Sequence, residues 1–159
     1  MSKQVRPVPE GYATITPNLV CRDAARAIEF YKSAFGAKEL HRAPGPNGEI
    51  LHSVLQLGDS KFFVNDPMSK TPVTAGQGAT NPTYVFLYVP DADSLFKKAV
   101  SAGARVDMPI QDMFWGDRYG MVTDPFGQQW GIATHIEDVA PEEMKRRQDA
   151  FFAKAAGHH

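Results

Sequence analysis

The chain repeats itself, and the repeat limits its possible folds more than any other feature of the sequence. TITPNLVCRDAARAIEFYKSAFGAKEL, from Thr14, aligns with PTYVFLYVPDADSLFKKAVSAGARVDM, from Pro82. Asp23 falls on Asp91, Ser33-Ala34 on Ser101-Ala102 and, after a one-residue gap, Gly36-Ala37 on Gly103-Ala104. Each copy reads as strand, acidic helix start, helix, glycine stop and strand. Asp23 and Asp91 stand where a carboxylate accepts from the first free N–H groups of a helix. Ala27, Ile28, Tyr31, Ala34 and Phe35 make one apolar stripe; Leu95, Phe96, Ala99 and Val100 make the other. Gly36 and Gly103 suit the left-handed residue beyond a helix end.

Two further strands follow each helix: Ile50–Gly58 and Lys61–Asn65 in the first copy, Tyr119–Asp124 and Gln128–His135 in the second. The repeat predicts module one over 12–66, a linker over 67–82 rich in Pro, Gly, Ser and Thr, and module two over 83–138. Each module is small for independent folding, so the reading is one domain over 1–140. Pro141, followed by Glu142 and Glu143, opens a tail helix over 141–157. Its pairs would be Glu142–Arg146 and Glu143–Arg147, and its stripe Met144, Phe151, Phe152 and Ala155 would dock on the domain or on a partner. Residues 158–159 read as the remnant of an affinity tag.

Composition removes several function classes. Of 159 residues, seventeen are Lys or Arg and eighteen Asp or Glu, a net charge of −1, without the basic excess of a nucleic-acid binder. No apolar run approaches the ~20 residues of a membrane helix, and MSKQVRPVPEGY lacks the apolar core of a secretory signal. The expectation is a cytoplasmic protein that meets neither membrane nor nucleic acid. The single Cys21 excludes an internal disulfide framework and a cysteine-rich zinc site. It is expected to face a helix and pack there. No Ser/His/Asp order, phosphate loop or HExxH motif is present.

Strand alternation locates a pocket. Ile15, Leu19 and Cys21 oppose Thr14, Thr16 and Asn18. Val85, Leu87 and Val89 oppose Tyr84, Phe86 and Tyr88. The leucines of Leu51–Leu57 oppose His52, Val54 and Gln56, and Trp130 and Ile132 oppose Gly131, Ala133 and His135. The aliphatic faces should cover the helices. The other faces carry hydroxyls, amides, imidazoles and aromatic rings but few charges, which suits a pocket lining; the alternative is a second packed interface. His52, beside Gln56, is the candidate acid or base, against a structural histidine bonded to a neighbouring strand. His135 lies at the far end of its strand, and His41 in a solvated loop. Trp115 is a candidate cavity wall. Arg118 either clamps a ligand or pairs with Asp117 to hold the loop. Asp124-Pro125-Phe126-Gly127 is a turn signature.

DAARAIEFYKSAFGA, from Asp23, and FWGDRYGMVTDPFGQQWGIATHIEDV, from Phe114, resemble the vicinal oxygen chelate superfamily, the glyoxalase/bleomycin-resistance proteins, the second segment being similar to the ending of its PhnB-like branch. The resemblance covers Tyr12 to Asp138. It implies an α+β fold of two tandem βαβββ modules with curled, barrel-like mixed sheets, here followed by a C-terminal helix. It also implies a homodimer with concave cavities. Members include isomerases, extradiol dioxygenases, epimerases, fosfomycin-inactivating transferases and antibiotic-binding proteins without activity, so the fold leaves function open. Catalytic members hold a divalent metal with His, Glu or Gln. The matching positions here are Thr16, Tyr84 and Gly131, with a counterpart near Phe63. A two-residue slide gives Asn18 or Thr14, Phe86 or Pro82, and Ala133 or Gln129. None of these sets is a His/Glu set, so no metal and no cofactor is expected at the superfamily position.

The leading expectation is therefore a protein that binds a small organic molecule in the cavities of a homodimer. Thr16, Asn18, Gln56, Tyr84, Phe86, Trp115, Arg118 and His135 would line the cavity, with His52 as the candidate catalytic group. The rival is a lyase, isomerase or transferase that uses His52, with a divalent metal recruited through ligands such as His52 and Glu49. A dimeric scaffold with a vestigial cavity is the third reading.

Overall fold

The computed structural model describes residues 5–67 and 83–157; residues 68–82 of the expected linker, Pro82 among them, and the terminal histidines lie outside the described residues. The chain forms two compact units divided after residue 80.

The first unit contains β1 (Asn18–Val20), α1 (Ala24–Phe35), β2 (Lys38–Pro44), β3 (Ile50–Leu57) and β4 (Ser60–Asn65). Its sheet runs β1-β4-β3-β2, with β1 parallel to β4 and the other pairs antiparallel. The helix starts as its sequence requires: the Asp23 carboxylate accepts from the Arg26 N–H at 3.4 Å. Gly36 closes the helix at φ 73°, the left-handed region open to glycine without a Cβ penalty. All five expected stripe residues of α1 are buried, together with Ala24 and Phe30. They meet the side of the sheet that carries Leu19, Leu55, Phe62 and Val64, all buried. Cys21 is buried as well, 3.8 Å from the Tyr31 hydroxyl.

The second unit contains β5 (Val85–Tyr88), α2 (Ala92–Ser101), β6 (Arg105–Asp112), β7 (Asp117–Thr123), β8 (Gln129–His135) and α3 (Pro141–Ala156). Its sheet order, β5-β8-β7-β6, reproduces the first, again with one parallel pair. Asp91 caps α2 through the Ser94 N–H at 3.1 Å. Register shifts interrupt β2–β3 and β6–β7, and such irregularities bend an open sheet. The architecture is the expected α+β pair of βαβββ units with mixed, barrel-like but unclosed sheets and a C-terminal helix. None of the helices among the described residues is long and apolar enough to cross a membrane.

Three local expectations need correction. The first strand begins at Asn18 rather than Thr14, because Pro17 offers no N–H to a ladder; Ile15 is 84% exposed and Thr16 precedes the strand. The α2 stripe is only partly covered: Ala99 is buried, whereas Val100 stays exposed. In α3, Arg146 turns to Glu143 rather than Glu142, at 2.6 Å. Arg147 joins Glu143, Glu137 and the Phe114 carbonyl, while Phe151 packs on Phe114 with ring centroids 5.2 Å apart. The tail helix thus docks on its own unit.

Leu55, fully buried beneath α1, is expected to cost about 2–5 kcal/mol when changed to alanine. Ile15→Ala should fall within about 0.5 kcal/mol of the parent. Urea unfolding of both variants measures the difference, and equal effects would place Leu55 outside the core.

Candidate functional site

In the second sheet, the side opposite α2 is built by register. Phe86 pairs with Gly131 and Tyr88 with Ala133 across β5–β8. Asp117 pairs with His135, and Tyr119 with Ala133, across β7–β8. Paired residues share a face, so Phe86, Tyr88, Asp117, Tyr119 and His135 stand together. Phe86 and Tyr119 stack at 5.3 Å and 16°, and Tyr88 lies 4.9 Å from Phe86. Gly131 makes that stack possible: a Cβ there would lie 3.0 Å from both rings. Burial, helped by Tyr84 and a hydrogen bond to it, pushes the Tyr119 phenol up to about 12.

Asp117 is the polar centre of this face. Its residue exposure is 3%, and its carboxylate accepts from the Tyr88 hydroxyl at 2.8 Å and the Trp115 Nε1–H at 3.0 Å. It also meets His135 Nδ1 at 2.8 Å. A buried carboxylate without donors would be costly; this one has three. The other imidazole nitrogen, Nε2, meets Asp138 at 2.7 Å. Hydrogen bonds to Asp117 first, and to Asp138 next, raise the His135 pKa above 6.5. The bond to Asp117 likewise raises that of Tyr88. Trp115 is held by a tight loop. Gly116 has φ 100°, and a Cβ on it would lie 2.1 Å from the Glu137 carbonyl oxygen, so only glycine fits.

Arg118 does not join this site. Consecutive strand residues point to opposite faces, so Arg118 turns away from Asp117. Its guanidinium forks onto Asp93 of α2 at 2.7 and 2.9 Å and reaches Asp112 of β6 at 2.9 Å. These bonds raise its pKa and lower that of Asp93. The expected Asp117–Arg118 pair is replaced by two separate networks, and Arg118 is a tie between helix and sheet.

In the first sheet, Asn18, Phe63, His52, Val54 and Gln56 share the face opposite α1. His52 sets its ring edge-on to Phe63 at 4.8 Å and lies 6.1 Å from His41. Asn18 donates to the Asn65 side chain at 2.8 Å, and Gln56 donates to the Gly58 carbonyl at 3.0 Å. Tyr12 covers Phe63, and Lys61 sits 4.6 Å over the Tyr12 ring. Thr16 lies ahead of β1, half-buried.

The positions matched to the superfamily's metal hold Thr16, Tyr84 and Gly131, with Phe63 as the first-unit counterpart. Register sets Asn18 beside Phe63, and Phe86 beside Gly131, so a two-residue slide puts an amide and a phenyl ring at those places. An amide already donating to Asn65, two phenyl rings and a glycine do not fit a divalent ion. Glu49 accepts from the Asn47 N–H at 2.9 Å within its own loop. Among the described residues, no group of three or more His, Cys, Asp or Glu is arranged to hold a metal.

Of the candidate residues, the structure brings Phe86, Trp115 and His135 together around Asp117, with Tyr84 next to Tyr119. Asp117 was read as a loop residue; its parity with Tyr119 was the available signal. Tyr88 and Asp138, which the sequence pattern does not single out as candidates, are joined to the same cluster through Asp117 and His135.

Because both its neighbours are carboxylates, His135 stays protonated to higher pH than a free histidine. The stability it contributes is present below 6.5 and lost as pH rises through the raised folded value. Asp117→Asn should lower the His135 titration midpoint toward 6.5, measured by NMR on its ring Cε1–H; an unchanged midpoint would contradict the assignment of Asp117 as the main cause.

The glyoxalase/bleomycin resistance protein/dioxygenase superfamily model matches residues 12–132. The uncharacterized protein Mb0911c of Mycobacterium bovis is 39% identical over 138 residues, covering 82% of this chain and 89% of that protein. The crystal structure of TioX from Micromonospora sp. ML1 superimposes with a TM-score of 0.64 at 29% identity, covering 78% of this chain and 99% of that one. A PhnB protein from Bacillus cereus shares the fold, with a TM-score of 0.61 at 18% identity over 77% of this chain and 99% of that one. With two βαβββ units in the order and register described, and a family match that spans both, the chain belongs to the glyoxalase/bleomycin resistance protein/dioxygenase superfamily.

Proposed function

We propose that this protein binds a small planar organic molecule on the Asp117 face of its second sheet, without a metal, as a cytoplasmic homodimer in which that face forms one wall of a concave cavity. The observation that carries the reading is the exposure of Tyr84 (45%), Phe86 (36%) and Tyr88 (64%) on one face, beside a fixed polar centre. Large aromatic groups left open to water beside a few oriented polar groups are the usual chemistry of a ligand surface. Stacking supplies affinity, and His135, held in place by Asp117, supplies orientation. TioX and the PhnB protein support the fold of this reading; the ligand is inferred from the face itself.

The observed geometry favours His135 over His52 as the polar group of the site. A buried carboxylate orients His135, whereas the ring neighbours of His52 are Phe63 and His41. Asn18 and Gln56 are engaged with Asn65 and Gly58.

A thermal-shift screen with planar aromatic compounds tests the proposal. A ligand at 100 times its Kd should stabilise the protein by about 2.7 kcal/mol. Phe86→Ala should weaken that ligand at least tenfold, the loss of about 1.4 kcal/mol of stacking, whereas a chelator should change nothing. A hit that ignores Phe86→Ala, or that needs an added divalent ion, would overturn the reading. Light scattering should give twice the mass of the chain.

A further inference from the structure

We propose that the ligand is a planar aromatic carboxylate, with His135 as its cationic anchor and Asp138 as a built-in stand-in for the ligand's own carboxylate. This rests on the binding reading above and names the class of molecule that the face takes.

The charge state of His135 follows from its partners. Asp117 is an acceptor in its contacts with Tyr88 and Trp115, and it meets Nδ1 at 2.8 Å. Asp138 meets Nε2 at 2.7 Å. A proton on each nitrogen satisfies both carboxylates, so this pair of contacts favours the imidazolium, as does the raised pKa of His135. Its two partners differ in a way that matters. The Asp117 side chain is 4% exposed, whereas that of Asp138 is 100% exposed. Asp117 is fixed; Asp138 can turn into solvent without uncovering any surface. When it does, Nε2–H becomes an open, charged donor at the edge of the aromatic face.

A carboxylate is the group best suited to take that place, since it exchanges one anion for another and keeps a charge-assisted bond. Groups on every neighbouring element agree. On β7, Asp117 balances the imidazolium. On β5, the Tyr88 hydroxyl donates to Asp117, and its raised pKa keeps it neutral. In the segment after β8, Glu137 is taken up by Arg147 at 2.8 and 2.9 Å. An incoming carboxylate therefore meets a neutral His135–Asp117 pair rather than an excess of negative charge. The rings are in place for the rest of the molecule: Tyr88 and Trp115 share the Asp117 carboxylate with His135, and Phe86 lies 4.9 Å from Tyr88.

Calorimetric titration of the full chain with 1-naphthoate and with its neutral counterpart 1-naphthamide tests this. Naphthoate should bind about tenfold more tightly, the equivalent of one charge-assisted hydrogen bond. Asp138→Ala, at a fully exposed position, should tighten naphthoate several-fold and leave naphthamide unchanged. His135→Gln should abolish the preference. Raising the pH from about 6 to about 9 should weaken naphthoate alone, as the imidazolium loses its proton. Equal affinity for the two compounds in the parent protein, or no response of naphthoate to Asp138→Ala, would overturn the carboxylate proposal. If both compounds still bind in a Phe86-dependent manner, the aromatic-face reading survives that result; if neither binds, both readings fall.

Discussion

A carboxylate withdrawn from water has to be given donors, and the second unit is arranged around that requirement at Asp117. The Tyr88 hydroxyl comes from β5, the Trp115 indole from the loop before β7, and the His135 imidazole from the end of β8. No two of these groups are close in sequence. Their meeting depends on the parallel β5–β8 pairing and on the antiparallel β7–β8 register that sets Asp117 directly across from His135. It also depends on Gly116, whose backbone passes close to the Glu137 carbonyl. Leaving any donor unpaired beside a buried charge costs more than the bond itself contributes, so the three contacts act together to fix one arrangement of the face.

The internal repeat explains the scaffold and shows where its two copies diverge. The same shift in numbering that carries Asp23 to Asp91 carries Ala24 to Ala92 and Asp66 to Thr134. In the first unit the Asp66 carboxylate accepts from the Ala24 N–H at 3.0 Å; in the second, the Thr134 hydroxyl accepts from the Ala92 N–H at 2.8 Å. The tie between the last strand and the helix start is kept while its chemistry changes. Strand pairing sets Val54 beside Phe63, and Met121 beside Gly131. By that register the partner of Asp117 in the first unit is Ile50, which is buried. One copy has a hydrophobic residue where the other has the carboxylate that gathers Tyr88, Trp115 and His135, so the two faces are equivalent in backbone and different in chemistry.

Much of the fold was legible because it rests on local rules. The capping acids, the α1 stripe and the left-handed glycine at Gly36 all follow from short-range geometry, and the repeat confirmed each element by its counterpart. The first strand was read too long because periodicity alone ignored Pro17. The site was legible only in part. Alternation put Phe86, Tyr88 and His135 on an open face, but grouping Asp117 with Arg118 by adjacency set aside the alternation used elsewhere: neighbours in a strand belong to opposite sides. His52 drew more weight than His135 because the partners that distinguish them, Asp117 and Asp138 against Phe63 and His41, are defined by register and loop path. Which residues stand side by side on these faces, Asn18 with Phe63 and Phe86 with Gly131, likewise follows from pairing rather than from sequence.

The proposed function stands or falls with binding at the Asp117 face of the second unit. An amide chemical-shift map recorded while 1-naphthoate is titrated into the isotopically labelled protein tests it most directly. The largest shifts should fall at Phe86–Tyr88, at Trp115–Tyr119 with the Trp115 indole N–H among them, and at Gly131–His135. Shifts centred on Asn18, His52 and Gln56, or scattered without a focus, would contradict it.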